Sequence, residues 1–223
     1  MGSTPGMSEG EDFTVRFWGV RGSVAVPGPK TVRYGGNTSC LEIRCGEHLI
    51  ILDAGTGIRD LGYKLIPECP IDTNLYITHT HFDHICGLPF FVPLFIPGNK
   101  ITMWAGHLQP DYTLKKVLTE MMMAPLFPVP PEIFQAEVEY KDFTVGDVME
   151  PHPGVTVRSG KLNHPNQATG YRIEYGGRSI CYITDTEHPE FGRDPNILEL
   201  LQGADLVVYD SMYTDGTYEN FKG

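Results

Sequence analysis

Within six consecutive positions, His79-Thr-His-Phe-Asp-His84, the chain carries three histidines and an aspartate. They follow directly on Asn74-Leu-Tyr-Ile-Thr78, a short apolar run with the character of a strand. In extended backbone, side chains two apart point the same way. His79 and His81 can therefore grip one ion while the turning chain aims Asp83 and His84 at a second. A histidine-rich surface loop is the plainer alternative. Four ligand-type side chains at this density argue against it, because imidazole nitrogen and carboxylate oxygen are donors that zinc takes.

Two later strand ends carry further ligand types. Leu162-Asn-His164-Pro165 follows one strand, and Thr184-Asp185-Thr186-Glu187-His188 follows another. His164 would complete a three-histidine site with His79 and His81. Asp83 and His84 would supply a second site, with Asp185 bridging the two. Two ions roughly 3.5–4 Å apart lower the pKa of a shared water to near neutral and brace both oxygens of a displaced group, so the expected reaction is hydrolysis. Asp83, close to that water, is the expected proton acceptor. Asp53, at the carboxyl end of an earlier strand, has two readings on spacing alone: a carboxylate that orients a ligand histidine, or a helix cap. His107 stands alone in a turn, and Cys86 reads as packing on a buried helix.

Along the chain, alternation and turn residues predict strands over 13–19, 39–45, 48–53, 74–78, 100–105, 134–140, 155–161, 169–175, 179–184 and 205–210. Helices are expected over 58–65, at the start of 85–95, over 111–123 and over 194–201. The tail from Ser211 shows no element. Phe90, Phe91, Phe95 and Ile96 are expected mainly in the core, with a hydrophobic lip or a homodimer contact as the other uses, and Met121 to Met123 as adaptable core filling. The long loop 20–37 is a candidate pocket wall. Its glycines do not form a nucleotide-binding loop, because Pro29 separates Gly28 from Lys30. Strand-rich halves with a few helices each suit two sheets face to face with helices outside.

At 223 residues and 41% apolar composition the chain fits one larger domain: residues 1–12 as a disordered leader and 13–223 as a single domain. A net charge of -11 argues against broad nucleic-acid or anionic-membrane surfaces. Five scattered cysteines without a C-x-x-C pair read as reduced thiols. With no apolar leader or spanning run, the expected location is the cytoplasm.

The His79-x-His81-x-Asp83-His84 motif, Leu52-Asp53-Ala54-Gly55, His164 and Asp185 together resemble the metallo-β-lactamase superfamily. Gly19-Val-Arg-Gly-Ser23, Arg33-Tyr-Gly-Gly-Asn-Thr38 and Leu75-Tyr-Ile-Thr-His79 are similar to its cyclic phosphodiesterase and ribonuclease Z branch. The resemblance implies an α/β fold, a four-layer αβ/βα sandwich of two mixed sheets with external helices, and two zinc or manganese ions. It also implies hydrolysis of a small or cyclic phosphodiester, and Asp53 orienting a ligand. The family's last metal-binding histidine has no counterpart, since His188 comes too early. The resemblance therefore implies a chain lacking its C-terminal helix and strand, with a second metal site weak or empty and an uncovered sheet edge. Ribonuclease Z activity itself is disfavoured by the acidic balance and by the lack of a basic tRNA-gripping insertion. Lactone or thioester opening uses the same water, and a non-catalytic metal-binding or sensing domain is the non-enzymatic alternative.

Overall fold

The computed structural model describes residues 12–213 and 215–218; apart from Asp12, the expected leader lies outside them. Eleven strands form two mixed sheets. The first runs β1 (Phe13–Gly19), β2 (Cys40–Cys45), β3 (His48–Leu52), β4 (Asp72–Ile77), β5 (Lys100–Ala105) and β6 (Glu137–Asp142). β1 to β3 are antiparallel, and β3 to β6 parallel. The second sheet runs β11 (Leu206–Tyr209), β10 (Arg178–Ile183), β9 (Ala168–Tyr175), β8 (Val155–Leu162) and β7 (Val148–His152), with only β10 and β11 parallel.

Alternation along the strands builds the layers. Ile50 and Leu52 of β3 and Tyr76 of β4 face the second sheet and pack with Val157, Tyr171 and Tyr182. Their neighbours Leu49, Ile51, Leu75 and Ile77 face the opposite way, onto α1 (Gly57–Leu65) and α3 (Leu114–Met121). Because β3 and β4 are buried on both faces, Leu49 to Leu52 and Leu75 to Ile77 read as continuous apolar stretches. α4 (Pro195–Leu201) covers the far side of the second sheet through Ile197 and Leu200. The result is the helix, sheet, sheet, helix stacking expected from the sequence. Each large apolar side chain removed from water contributes about 1.5–3 kcal/mol. The sheets are also joined by a hydrogen bond, since the buried Tyr171 hydroxyl donates to the Ile77 carbonyl at 2.7 Å.

Several elements differ from expectation. β6 begins at Glu137 rather than Phe134, because Phe134 closes a short 3-10 turn and packs edge-on against Phe95. β7 was not expected at all, since Pro151 and a register shift between Met149 and His152 interrupt its pattern. The helix expected to start at Ile85 starts earlier, as α2 (Phe82–Ile85), so Asp83 and His84 are helical. Met122 is core but Met123 is half exposed, and Phe91 is buried while Phe90 is exposed. α3 is shorter than the expected 111–123, starting after its cap Thr113, whose hydroxyl accepts from the Lys116 N–H. The tail forms one short helix, α5 (Asp215–Tyr218). Among the described residues β11 is the outermost strand of its sheet, with no strand paired beyond it. Among the described residues no helix is long and apolar enough to cross a membrane.

Candidate metal centre

The parallel strands β3 to β6 bring their carboxyl ends to one edge of the first sheet, and β8 and β10 bring theirs to the facing edge of the second. Asp53 follows β3, His79 and His81 follow β4, His164 follows β8 and Asp185 follows β10. The structure gathers all of them. His79 lies with its ring 4.5 Å from that of His81, 4.8 Å from His164 and 4.2 Å from His84. Two groups have donor atoms close enough to share an ion: His79, His81 and His164, and His79, His84 and Asp185. Asp185 Oδ2 lies 3.2 Å from His79 Nε2 and 2.8 Å from His84 Nε2, between the two groups. Asp83 sits slightly apart, 3.5 Å from His84 Nε2.

Outer contacts decide which nitrogen of each imidazole faces inward. Asp53 does not cap α1, whose first residues receive no side-chain cap. Its carboxylate is instead fully buried and accepts from the Thr78 backbone N–H (2.8 Å), the Thr78 hydroxyl (2.9 Å), the Tyr182 hydroxyl (3.0 Å) and His84 Nδ1 (2.8 Å). His84 therefore carries its hydrogen on Nδ1 and presents an Nε2 lone pair. The Thr78 hydroxyl, having donated to Asp53, is left to accept from His79 Nδ1 at 3.1 Å, and His79 presents Nε2 likewise. His81 is reversed, with Nδ1 3.0 Å from His164 Nε2 and its Nε2 3.3 Å from the Asn166 amide. With Nδ1 turned inward the hydrogen belongs on Nε2, and because Asn166 Nδ2 faces that atom, the amide must turn its oxygen toward the ring to accept it.

The inward atoms lack ordinary partners. Nε2 of His79 and of His84 are buried and make no aligned hydrogen bond, although Asp185 is near both. A buried polar atom without a partner is rare and costs about 1–3 kcal/mol. Here two such lone pairs converge with those of His81, His164 and Asp185, a donor set that fits divalent transition metals. Burial opposes charge on His84, but Asp53 and Asp185 outweigh it and raise its pKa well above the usual value, so the ring without an ion also holds a proton on Nε2, which a bound metal would displace to take the lone pair. Burial pushes Asp185 up, yet the imidazoles of His79 and His84 close beside it prevail and hold it well below the usual carboxylate range. Burial, reinforced by His79, lowers His81 and takes His164 down to about 4.

Backbone strain is concentrated in the same place. Among the described residues, five non-glycines have positive φ: Ser23, Asp53, Asn166, Gln167 and Asp185. All five lie in the loops around this cluster, and such conformations cost of order 1–3 kcal/mol each unless the surroundings enforce them. Packing is equally tight. A Cβ on Gly55 would meet the Asp83 carbonyl oxygen and the Thr38 hydroxyl, and one on Gly87 would meet the Gly55 carbonyl, so the Asp53 turn is pressed onto α2.

A cleft of about 180 Å³ opens onto the cluster, lined by His81, Asp83, His164 and Asp185 with Ser23 and Tyr213. The Ser23 backbone N–H donates to Asp83 Oδ2 at 2.8 Å. Ser23, Thr78, Asn166 and Tyr182 were not singled out from sequence, since each acts through another residue and none is a ligand type in a ligand pattern. His188 takes no part in either ligand group and lies flat against Tyr209, ring centroids 6.2 Å apart. His107 is buried behind Thr80, 3.2 Å from its hydroxyl, outside the ligand groups.

Residues 48–220 match the family described as the beta-lactamase superfamily domain. The ribonuclease Z of Haloarcula marismortui is 24% identical over 183 residues; the match covers 81% of this chain and 53% of that protein, so the chain spans about half the length of this curated relative. Among solved structures, the short form of human tRNase Z superposes with a TM-score of 0.64 at 17% identity, covering 92% of this chain and 81% of that one. A diphosphatase of the PhnP family gives 0.62 at 20% identity, covering 88% and 73%. The zinc-bound PqqB of Methylobacterium extorquens gives 0.61 at 19% identity, covering 88% and 72%. These likenesses bear on the fold.

Proposed function

The chain belongs to the beta-lactamase superfamily, in its metallo-β-lactamase fold, and from that premise we propose that it is a metal-dependent hydrolase of small phosphodiesters. The observation that carries the reading is the pair of buried, unpartnered Nε2 atoms on His79 and His84, each fixed inward by a hydrogen bond on its other nitrogen. His79, His81 and His164 would hold one ion. His84 and Asp185, with Asp83 at longer reach, would hold a second, and the donor set admits zinc or manganese. When bound, such ions supply Lewis acidity to phosphoryl oxygens and positive charge among the carboxylates.

The chain's own residues supply the rest. Asp83 takes the proton of the attacking water on its carboxylate, and the Ser23 N–H pins Oδ2 so that Oδ1 is the oxygen left to receive it. Asp53, through His84 and through Thr78 to His79, holds two imidazoles in register without touching substrate. The choice of a phosphodiester is supported by the matched proteins, which include a ribonuclease Z and a diphosphatase. The net charge of -11 and the small cleft favour a small substrate over a folded nucleic acid. Elemental analysis of the purified protein should find about two transition-metal ions per chain; less than one would sink the proposal. Against bis(p-nitrophenyl) phosphate, cyclic nucleotides, a lactone and a thioester, the phosphorus esters should turn over fastest. Faster opening of the carbon esters would reject the phosphodiester assignment.

A further inference from the structure

The loop that delivers Ser23 to Asp83 carries an arginine that the cluster does not use. Arg21 has its backbone fixed, its N–H donating to the Asn37 carbonyl at 2.9 Å and its strand bridge made to Thr38. Its side chain is not fixed in the same way. Nε is buried without a hydrogen-bond partner, and the guanidinium makes no ion pair with any described residue. This is unusual in a neighbourhood rich in carboxylates, where pairing would offset the desolvation of the cation.

Arg21 lines a cavity of about 350 Å³ whose apolar wall includes Phe17, Leu41, Tyr182 and Val208. That cavity adjoins the metal cleft, with Gly22, Asp185, Asp210 and Met212 lining both. Among the described residues lining either space, Arg21 is the one lysine or arginine. Together the two spaces fall within the roughly 300–1,000 Å³ usual for small-molecule sites. A guanidinium with free donors offers a planar fork suited to carboxylate or phosphate.

We infer that Arg21 anchors a second anionic group of the substrate, a carboxylate or a terminal phosphate, carried a few bonds away from the ester that is cleaved. Identifying that ester as a phosphodiester rests on the proposed function; the anchor itself does not. Two residues of backbone separate Arg21 from Ser23, at most roughly 7 Å. The two anionic groups therefore belong to one small molecule, with the intervening part against the Phe17 and Leu41 wall.

The test uses the full chain loaded with metal and reads binding by calorimetry, without turnover. Two homologous series are compared with simple alkylphosphonates of matched length: phosphonates ending in a carboxylate, and bisphosphonates. The best doubly anionic member should bind about tenfold tighter than its alkylphosphonate, a difference of about 1.4 kcal/mol, and the better series identifies the second anion. Arg21→Gln should bring the two to parity while leaving the alkylphosphonate unchanged. Arg21→Lys, which keeps the charge but loses the fork, should retain only part of the preference and serves if the glutamine variant does not fold. No preference in the unaltered protein, or one that survives in either variant at full strength, overturns the inference even if phosphodiesters are hydrolysed. Loss of all phosphonate binding overturns the metal-centre reading and this one with it. A chain that prefers carbon esters yet shows the Arg21-dependent preference rejects the phosphodiester assignment alone.

Discussion

The two sheets contribute unequally to the metal centre. On the first sheet, Asp53, His79 and His84 are at most 1% exposed, and each is tied by hydrogen bonds to a neighbour that is itself buried. On the second, His164 is only half-buried, the Asp185 side chain is 25% exposed with a long 3.4 Å hydrogen bond from the Thr184 hydroxyl, and the contact from Asn166 to His81 reaches out from an exposed loop. The first arm is a preorganised socket and the second a closing flank. Geometry should therefore be set by Asp53 and its partners, while the second arm decides whether an ion stays.

The contrast can be broken most forcefully at Asp53. Asp53→Ala strands His84 Nδ1, the Thr78 N–H and hydroxyl, and the Tyr182 hydroxyl at once; removing one partner of a buried network of this kind costs about 3–5 kcal/mol. Metal affinity should fall by about 100-fold, as read by metal titration, with the stability loss read by denaturant melts. Stability loss under about 1 kcal/mol would show the socket to be no socket. Next comes acid sensitivity. Burial, with His79 adding to it, takes His107 down to about 4, below the free value of 6.5. As pH falls the unfolded chain therefore takes up the proton first. The stability this neutral ring contributes is complete above pH 6.5 and is lost as pH drops toward 4, up to about 3 kcal/mol. The difference in unfolding free energy between the natural chain and His107→Gln should shrink over that window, and a constant difference would refute it.

Smaller still, His164→Ala should change the stability of metal-free protein by less than about 1 kcal/mol, because the ring is only half-buried, yet lower the number of ions retained after dialysis. A large destabilisation would erase the proposed asymmetry between the arms. The smallest effect belongs to Asn166→Ala, expected to weaken metal binding by about tenfold or less with no measurable shift in the thermal transition. A shift as large as that of Asp53→Ala would place the organising contact on the wrong sheet.

Much of this was legible because metals require particular atoms. His79, His81, Asp83, His84, His164 and Asp185 announce themselves by residue type and by position at strand ends. Central strands such as β3 announce themselves by an unbroken apolar stretch, Leu49 to Leu52. What stayed hidden works through geometry. Thr78 and Tyr182 orient ligands using hydroxyls that occur everywhere in sequences, and Asn166 does so from a left-handed backbone that nothing nearby signals. Spacing alone leaves Asp53 evenly balanced between capping and orienting; the family resemblance favours orienting, and the four donors that converge on it are what spacing cannot show. β7 was invisible because Pro151 disrupts its pattern, and β6 was set too early because Phe134 is apolar for a turn's sake rather than a strand's.

The hydrogen bond from Tyr182 to Asp53 spans 129 residues of chain. During synthesis at about 5–20 residues per second, Asp53 therefore waits on the order of ten seconds for its partner to leave the ribosome. Until then the first sheet holds its histidines beside an open flank, and an ion captured early meets only part of its final set of donors. Stable metal uptake should consequently mark the moment the sheets close on each other. A metal-responsive signal from stalled chains of increasing length would appear late and abruptly, making the ion a clock for the last step of folding.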